Sequence, residues 1–282
     1  MKSSRLLVLV LGLILMSGAT LPAFAQEPDA PRPIAALDSV WMEQLTWMEI
    51  RDAIASGKTT AFILTGGVEA NGPYIPTGKH NYVLEAAGEA MARRLGNVLI
   101  VPILRYEPGQ PATSTSPGSV VLSDATYKAV LTDMATSLKA QGFKNIVLMG
   151  DSGGNQTRME EVTETLSAQW DSESTAIHFV PEYYATKRII DEETIPGLGI
   201  VEEPEGLHDS YRITSVLLAA HGPKIIRFDQ RVAAGKASIN GISINPPDKT
   251  IEIGKKNMEL RVDHAVAAIE KAIGKRSSDQ RN

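Results

Sequence analysis

The feature that most constrains this chain is a repeated alternation of short apolar runs with amphipathic stretches of helical spacing. Residues 60–65, Thr-Ala-Phe-Ile-Leu-Thr, are a nearly unbroken apolar run closed by Gly66 and Gly67, which predicts a short buried strand. Residues 81–95 then place Val83, Leu84, Ala87, Met91 and Leu95 on one helical face. Residues 98–104 predict a second strand, expected with those over 60–65 and 145–149 to form neighbouring interior strands of the sheet. Residues 124–140 predict a helix carrying Val130, Leu131, Met134 and Leu138, and 145–149 a third strand closed by Gly150. Helices over 156–170, 211–220 and 257–273 and a strand over 176–180 continue the series. Strands alternating with helices imply βαβ units, so the fold class is α/β, with a mostly parallel sheet and helices on both faces. Ligands of such sheets bind at the carboxyl ends of the strands. The informative residues should therefore follow Leu64, Leu104 and Met149.

The N-terminus carries a different signal. Lys2 and Arg5 precede an apolar run over residues 6–16, and small residues lead to Ala23-Phe24-Ala25. That order is the substrate of a signal peptidase. The run is about half of the roughly 20 residues that a membrane span requires. The expectation is cleavage near Ala25, a mature chain starting at Gln26, and a periplasmic or secreted protein with no membrane association after cleavage. Residues 26–38 read as a flexible lead-in, 39–273 as the folded domain and 274–282 as a tail. Loss of Lys2 and Arg5 takes the formal charge from −5 to −7. A mildly acidic surface argues against nucleic acid or anionic membrane as partner. The absence of cysteine excludes disulfides, zinc–thiolate sites and cysteine nucleophiles.

Two loops concentrate polar groups. After the first strand, Gly66 to Asn81 holds Glu69, Asn71, Tyr74, Lys79 and His80 between fixed glycines and prolines. After the third, Gly150-Asp151-Ser152-Gly153-Gly154-Asn155 opens a helix, where backbone N–H groups favour negative charge. The simpler reading of both is structural, with Asn81 and Asn155 capping the helices they precede. Tyr183, Tyr184, Lys187 and Arg188 follow a strand and are placed to border the same cleft.

Together these stretches resemble the creatininase (creatinine amidohydrolase) family. The stretch Gly67 to His80 matches its first motif, Pro117-Gly118-Ser119 a Pro-Gly-Thr before a short strand, and Gly150 to Asn155 its Asn-Gly-His-Gly-Gly-Asn. His208-Asp209-Ser210 and Ile213-Thr214-Ser215 match its last motif, in the family order. The resemblance implies a three-layer α/β/α fold. It also implies hydrolysis of a small amide or cyclic C–N substrate with one or two divalent metals (zinc, manganese or iron), and a homo-oligomer. This chain departs from the family at the metal positions. Glu69 keeps the metal-binding glutamate, but Asn71, His80, Ser152 and Ile213 stand at the others, and Tyr74 replaces a further histidine.

A hydrolytic metal site needs about three protein ligands and an open position for water. Glu69, His80 and Asp151 are the candidate metal ligands. His208 is the candidate general acid toward a leaving nitrogen, and Lys79 or Asn71 a group that polarises a carbonyl. The same residues admit a second reading, a relative without turnover that serves as a binding or scaffold protein. In that reading Glu69 and His80 bond each other, Asp151 caps a helix and His208 is exposed.

Overall fold

The computed structural model describes residues 27, 29–203, 206 and 208–279. The expected leader, residues 1–25, lies outside them. The chain divides into residues 1–35, whose described part is a turn and bends, and residues 36–282, which hold the helices and strands. In order these are α1 (Trp47–Ala55), β1 (Thr60–Thr65), α2 (Lys79–Leu95), β2 (Val98–Ile100), β3 (Glu107–Pro108), β4 (Val121–Leu122), α3 (Asp124–Ala140), β5 (Asn145–Gly150) and α4 (Gln156–Gln169). There follow β6 (Ala176–Phe179), α5 (Glu182–Ile189), α6 (Ile195–Gly197), α7 (Tyr211–His221), α8 (Phe228–Ala233), β7 (Ser238–Ile239), β8 (Ile242–Ser243) and α9 (Asp248–Asp279).

The main sheet runs β2-β1-β5-β6 and every pairing in it is parallel. Alternate residues of its central strands feed two cores. Phe62 and Leu64 of β1 and Val147 and Met149 of β5 face Leu84, Met91, Val262 and Ile269 of α2 and α9. Ala61, Ile63, Ile146 and Leu148 face Tyr127, Leu131, Met159 and Leu166 of α3 and α4. The period of two along a strand thus builds the three-layer α/β/α arrangement. Local signals set the helix starts. Thr46 and Glu49 form a reciprocal capping box on α1, while Ser123 and Ser210 accept the N–H of Thr126 and Ile213 on α3 and α7.

Three expectations change. The strand expected over 98–104 stops at Ile100, and only an isolated bridge, Thr65 with Leu104, resumes the pairing. Pro102 has no N–H to give to the ladder. β2 is also not interior: it ends the four-stranded ladder, flanked only by the bridge of Trp41 to Ile100. The last helix starts at Asp248 and runs to Asp279, so it takes in much of the expected tail.

The register decides where the site lies. β1 and β5 pair from Thr60 with Asn145 to Thr65 with Gly150, so they end side by side. The loops that leave them open on one edge of the sheet.

Candidate functional site

Two buried asparagines fix the first loop, and neither caps a helix through its side chain, although Asn155 stands at the N-cap position of α4. Asn81 lies inside α2, whose N-cap is Gly78, and its amide clasps Gly67 through Gly67 N (3.3 Å) and Gly67 O (3.1 Å). The Asn155 Nδ2 donates to Thr65 O (3.0 Å) and Gly66 O (2.8 Å). The end of β1 is thereby tied both to α2 and to the turn after β5.

On that frame Glu69, His80, Asp151 and His208 come together. The His80 Nδ1 lies 2.8 Å from Asp151 Oδ2, and its Nε2 lies 2.9 Å from Glu69 Oε1. The His208 Nδ1 lies 3.0 Å from Glu69 Oε2. An ionised carboxylate only accepts, so His80 must donate from both nitrogens and is an imidazolium. The pKa values agree in direction. Burial opposes the charge on His80, but the bonds to Asp151 and Glu69 outweigh it and hold the group above its ordinary value. Burial pushes Glu69 up, yet His80 and Lys79 bring it down to about 2. Burial likewise pushes Asp151 up, and Arg261 with His80 brings it down to about 2.

Two further cations complete the arrangement. The Lys79 Nζ donates to Asn71 Oδ1 (2.7 Å) and the His208 carbonyl (2.8 Å), and it lies 2.9 Å from Glu69 Oε1. An ammonium has three donors, and these three acceptors use them all. The Asn71 amide in turn donates to Glu69 O (3.1 Å) and Pro76 O (3.0 Å). Lys79 and Asn71, the residues expected to polarise a substrate carbonyl, thus make bonds that hold the loop, and Lys79 also lines the cavity described below. On the other side Arg261 pairs with Asp151 Oδ1, which also accepts from the Tyr183 hydroxyl at 3.3 Å. Asp151 is thus no helix cap. Lys79 and His80 put positive charge in the first turn of α2, where the helix dipole disfavours it, and the two carboxylates compensate.

This cluster opens onto a cavity of about 670 Å³, in the range of small-molecule sites. Glu69, His80, Asp151, Ser152, His208 and Arg261 are among its lining residues. Of the residues expected to border the cleft, Tyr184 and Lys187 do, Tyr183 is buried beneath it, and Arg188 points to solvent beside Glu192. Arg261, Arg212, Asp191, Glu107 and Asp209 line the cavity without having been expected there. For Arg261 a signal existed. It sits between Met258 and Ala265 at helical spacing, an arginine on the apolar stripe of α9. For Glu107 none did, because two-residue β3 lies in a stretch without periodicity.

The creatininase family profile, described as creatinine amidohydrolase, matches residues 43–269. The chain belongs to the creatininase family. Among solved structures it is similar to a mutant creatininase described as Zn-Zn type, with 20% identity and a TM-score of 0.63 over 84% of this chain and 99% of that one. It is also similar to a creatininase described with Mn, at 20% identity and a TM-score of 0.60, covering 84% and 98%. A creatinine amidohydrolase (creatininase) structure gives 20% identity and a TM-score of 0.61, covering 85% and 98%. At such identity these likenesses show the fold. No curated protein matches the chain.

The metals named for those relatives set a test for this chain. Glu69, His80 and Asp151, the expected ligands, do converge, but as arranged they do not fit a divalent ion. His80 has no lone pair left, since both nitrogens face carboxylates. Both Asp151 oxygens are engaged, and the Lys79 ammonium occupies the space between Glu69 and Asn71. Among the described residues no group of three His, Asp or Glu side chains has the disposition to hold a metal. Three cations of the chain, Lys79, His80 and Arg261, neutralise the two carboxylates instead.

Proposed function

We propose that the protein hydrolyses a small amide or cyclic C–N compound in this cavity, with the chain's own charges in place of a metal. One observation carries the reading. His208 lines the cavity and is oriented through Nδ1 by the partly buried, ionised Glu69, so Nε2 is the nitrogen left for substrate. A carboxylate that fixes one ring nitrogen sets the other for proton transfer. Hydrolysis adds water across the C–N bond: the hydroxyl ends on the acyl carbon and a proton on nitrogen. His208 gives the leaving nitrogen its proton from Nε2 and recovers one from water. Membership of the family supports the bond type, and the size of the cavity supports a small substrate.

The test is turnover by chelator-treated protein, followed by proton NMR on a panel of lactams, cyclic ureides and simple amides. Turnover that His208→Ala lowers by about two orders of magnitude or more, the usual scale of general acid–base catalysis, is the expected result. Absence of turnover together with saturable binding of panel members would favour a binding protein, a reading that the saturated carboxylates also suit.

Two further parts of this reading rest on other support. Export rests on Lys2, Arg5, the apolar run and Ala23-Phe24-Ala25. N-terminal sequencing of the mature protein should begin at Gln26. Homo-oligomerisation rests on the family resemblance, and light scattering should return a mass well above that of one mature chain.

A further inference from the structure

A site without a metal must find its nucleophile elsewhere, and the turn after β5 holds one that the hydrolytic reading above does not use. Gly150-Asp151-Ser152-Gly153-Gly154 has the form Gly-x-Ser-x-Gly. That pattern gains meaning only where a strand turns into a helix and lifts the serine to the end of a sheet. Here β5 ends at Gly150, a 3-10 turn runs from Gly153 to Asn155, and α4 starts at Gln156. Of the two pattern glycines, Gly150 is required by its surroundings, while a Cβ on Gly154 would make only ordinary contacts, the nearest with Pro108 O at 3.8 Å. A Cβ on Gly150 would lie 2.5 Å from Thr65 Oγ1, and one on Gly153 would lie 2.9 Å from the Tyr184 hydroxyl. The Gln156 side chain braces the turn by donating to Gly150 O (3.0 Å) and Ser152 O (2.8 Å).

Ser152 is paired with a base. Its hydroxyl donates to Glu107 Oε2 across 2.5 Å, and β3, which carries Glu107, pairs with β4. Serine and glutamate both line the cavity that His208 lines. The backbone at Ser152 is extended, with φ −96° and ψ 144°. The turn therefore lacks the strained serine of the α/β-hydrolase elbow, and the carboxylate takes the place of the usual histidine.

We propose that Ser152 is a nucleophile and Glu107 its general base, so that hydrolysis passes through an acyl ester on Ser152. This rests on the amide-hydrolase reading of the same cavity. The Ser152 Oγ bonds to the substrate's carbonyl carbon as its proton passes to Glu107. The C–N bond breaks, and the nitrogen leaves with a proton from His208 Nε2. Water then attacks the ester and gives a proton to His208 Nε2. The Oγ–C bond breaks, Ser152 recovers its proton from Glu107, and the acid is released. No atom or charge is left over.

The experiment is covalent trapping. The full-length mature protein is treated with a fluorophosphonate probe, and the adduct is read by intact mass and peptide mapping. One adduct on Ser152 is expected. It should be absent in Ser152→Ala, while Glu107→Gln should form it at least tenfold more slowly, with thermal melting checking that both variants fold. As a second handle, Ser152→Cys should be alkylated by iodoacetamide faster than free cysteine. No adduct, an adduct elsewhere, or an unchanged rate in Glu107→Gln would overturn the proposal. Amide turnover that survives in Ser152→Ala would overturn it while leaving the hydrolase reading standing. A Ser152 adduct without turnover of any amide would do the reverse.

Discussion

Arg261 and Asp151 are both almost fully buried and face each other, with the Tyr183 ring stacked 5.1 Å from the guanidinium. Such a pair adds little over an apolar one, but removing one partner strands a charge. Arg261→Met should therefore destabilise the domain by about 3–5 kcal/mol in urea unfolding. A smaller loss would mean that His80 and Tyr183 suffice for Asp151. The pH dependence follows from the shifts around it. Glu69 and Asp151 are held near 2, below their ordinary values of 4.5 and 3.8. Their contribution is present above the ordinary carboxylate range and is lost as pH falls toward 2. His80 is shifted upward, so its contribution is complete below about pH 6.5 and fades as pH rises through its raised value. The stability difference between the wild type and His80→Gln should thus be largest between roughly pH 5 and 6.5 and shrink on either side. A difference that is flat with pH would show that His80 is neutral in the fold. Among these residues the sequence exposed Glu69, His80, Asp151 and His208, because loops after strands concentrate polar groups. It did not expose their roles. Whether His80 binds a metal or bridges two carboxylates depends on distances of 2.8 and 2.9 Å that span up to 71 residues of chain.

At the scale of elements, α9 carries Arg261 into the site and must therefore lie close to its neighbours. It crosses α7 at Gly254, where a Cβ would come within 1.9 Å of the Ser215 carbonyl oxygen. That atom belongs to a helix backbone and cannot yield by a rotamer change. Gly254→Ala should therefore force the helices apart and cost about 1–3 kcal/mol, read as a fall of several degrees in melting temperature. An unchanged melting temperature would show that α9 slides freely along α7. Helices such as α3 were legible from spacing, since the Leu131–Leu138 stripe is a local signal. The start of α9 was not. Residues 248–256 include Gly254 and a lysine pair, and only packing against α7 accounts for the helix there.

For the whole molecule, the proposal that internal cations stand in place of a metal makes a direct prediction. Dialysis against a chelator should leave the melting temperature unchanged, and elemental analysis should find well under one zinc, manganese or iron per chain. A large drop in melting temperature on chelation would mean that the carboxylates rearrange around an ion, because a ligand that binds only the folded state stabilises it. The sequence by itself determined the α/β class, the parallel central strands and the edge of the sheet that bears the site. Each of these follows from local hydrophobic period and from the rule that βαβ units send their loops to one edge. It also carried the order of motifs that marks the family. Only the tertiary structure decided that Lys79, His80 and Arg261 meet Glu69 and Asp151, and that Glu107 reaches Ser152. These pairings join segments with no shared local pattern. They are selected by burial, since a charge inside the protein must find its partner wherever the fold brings one.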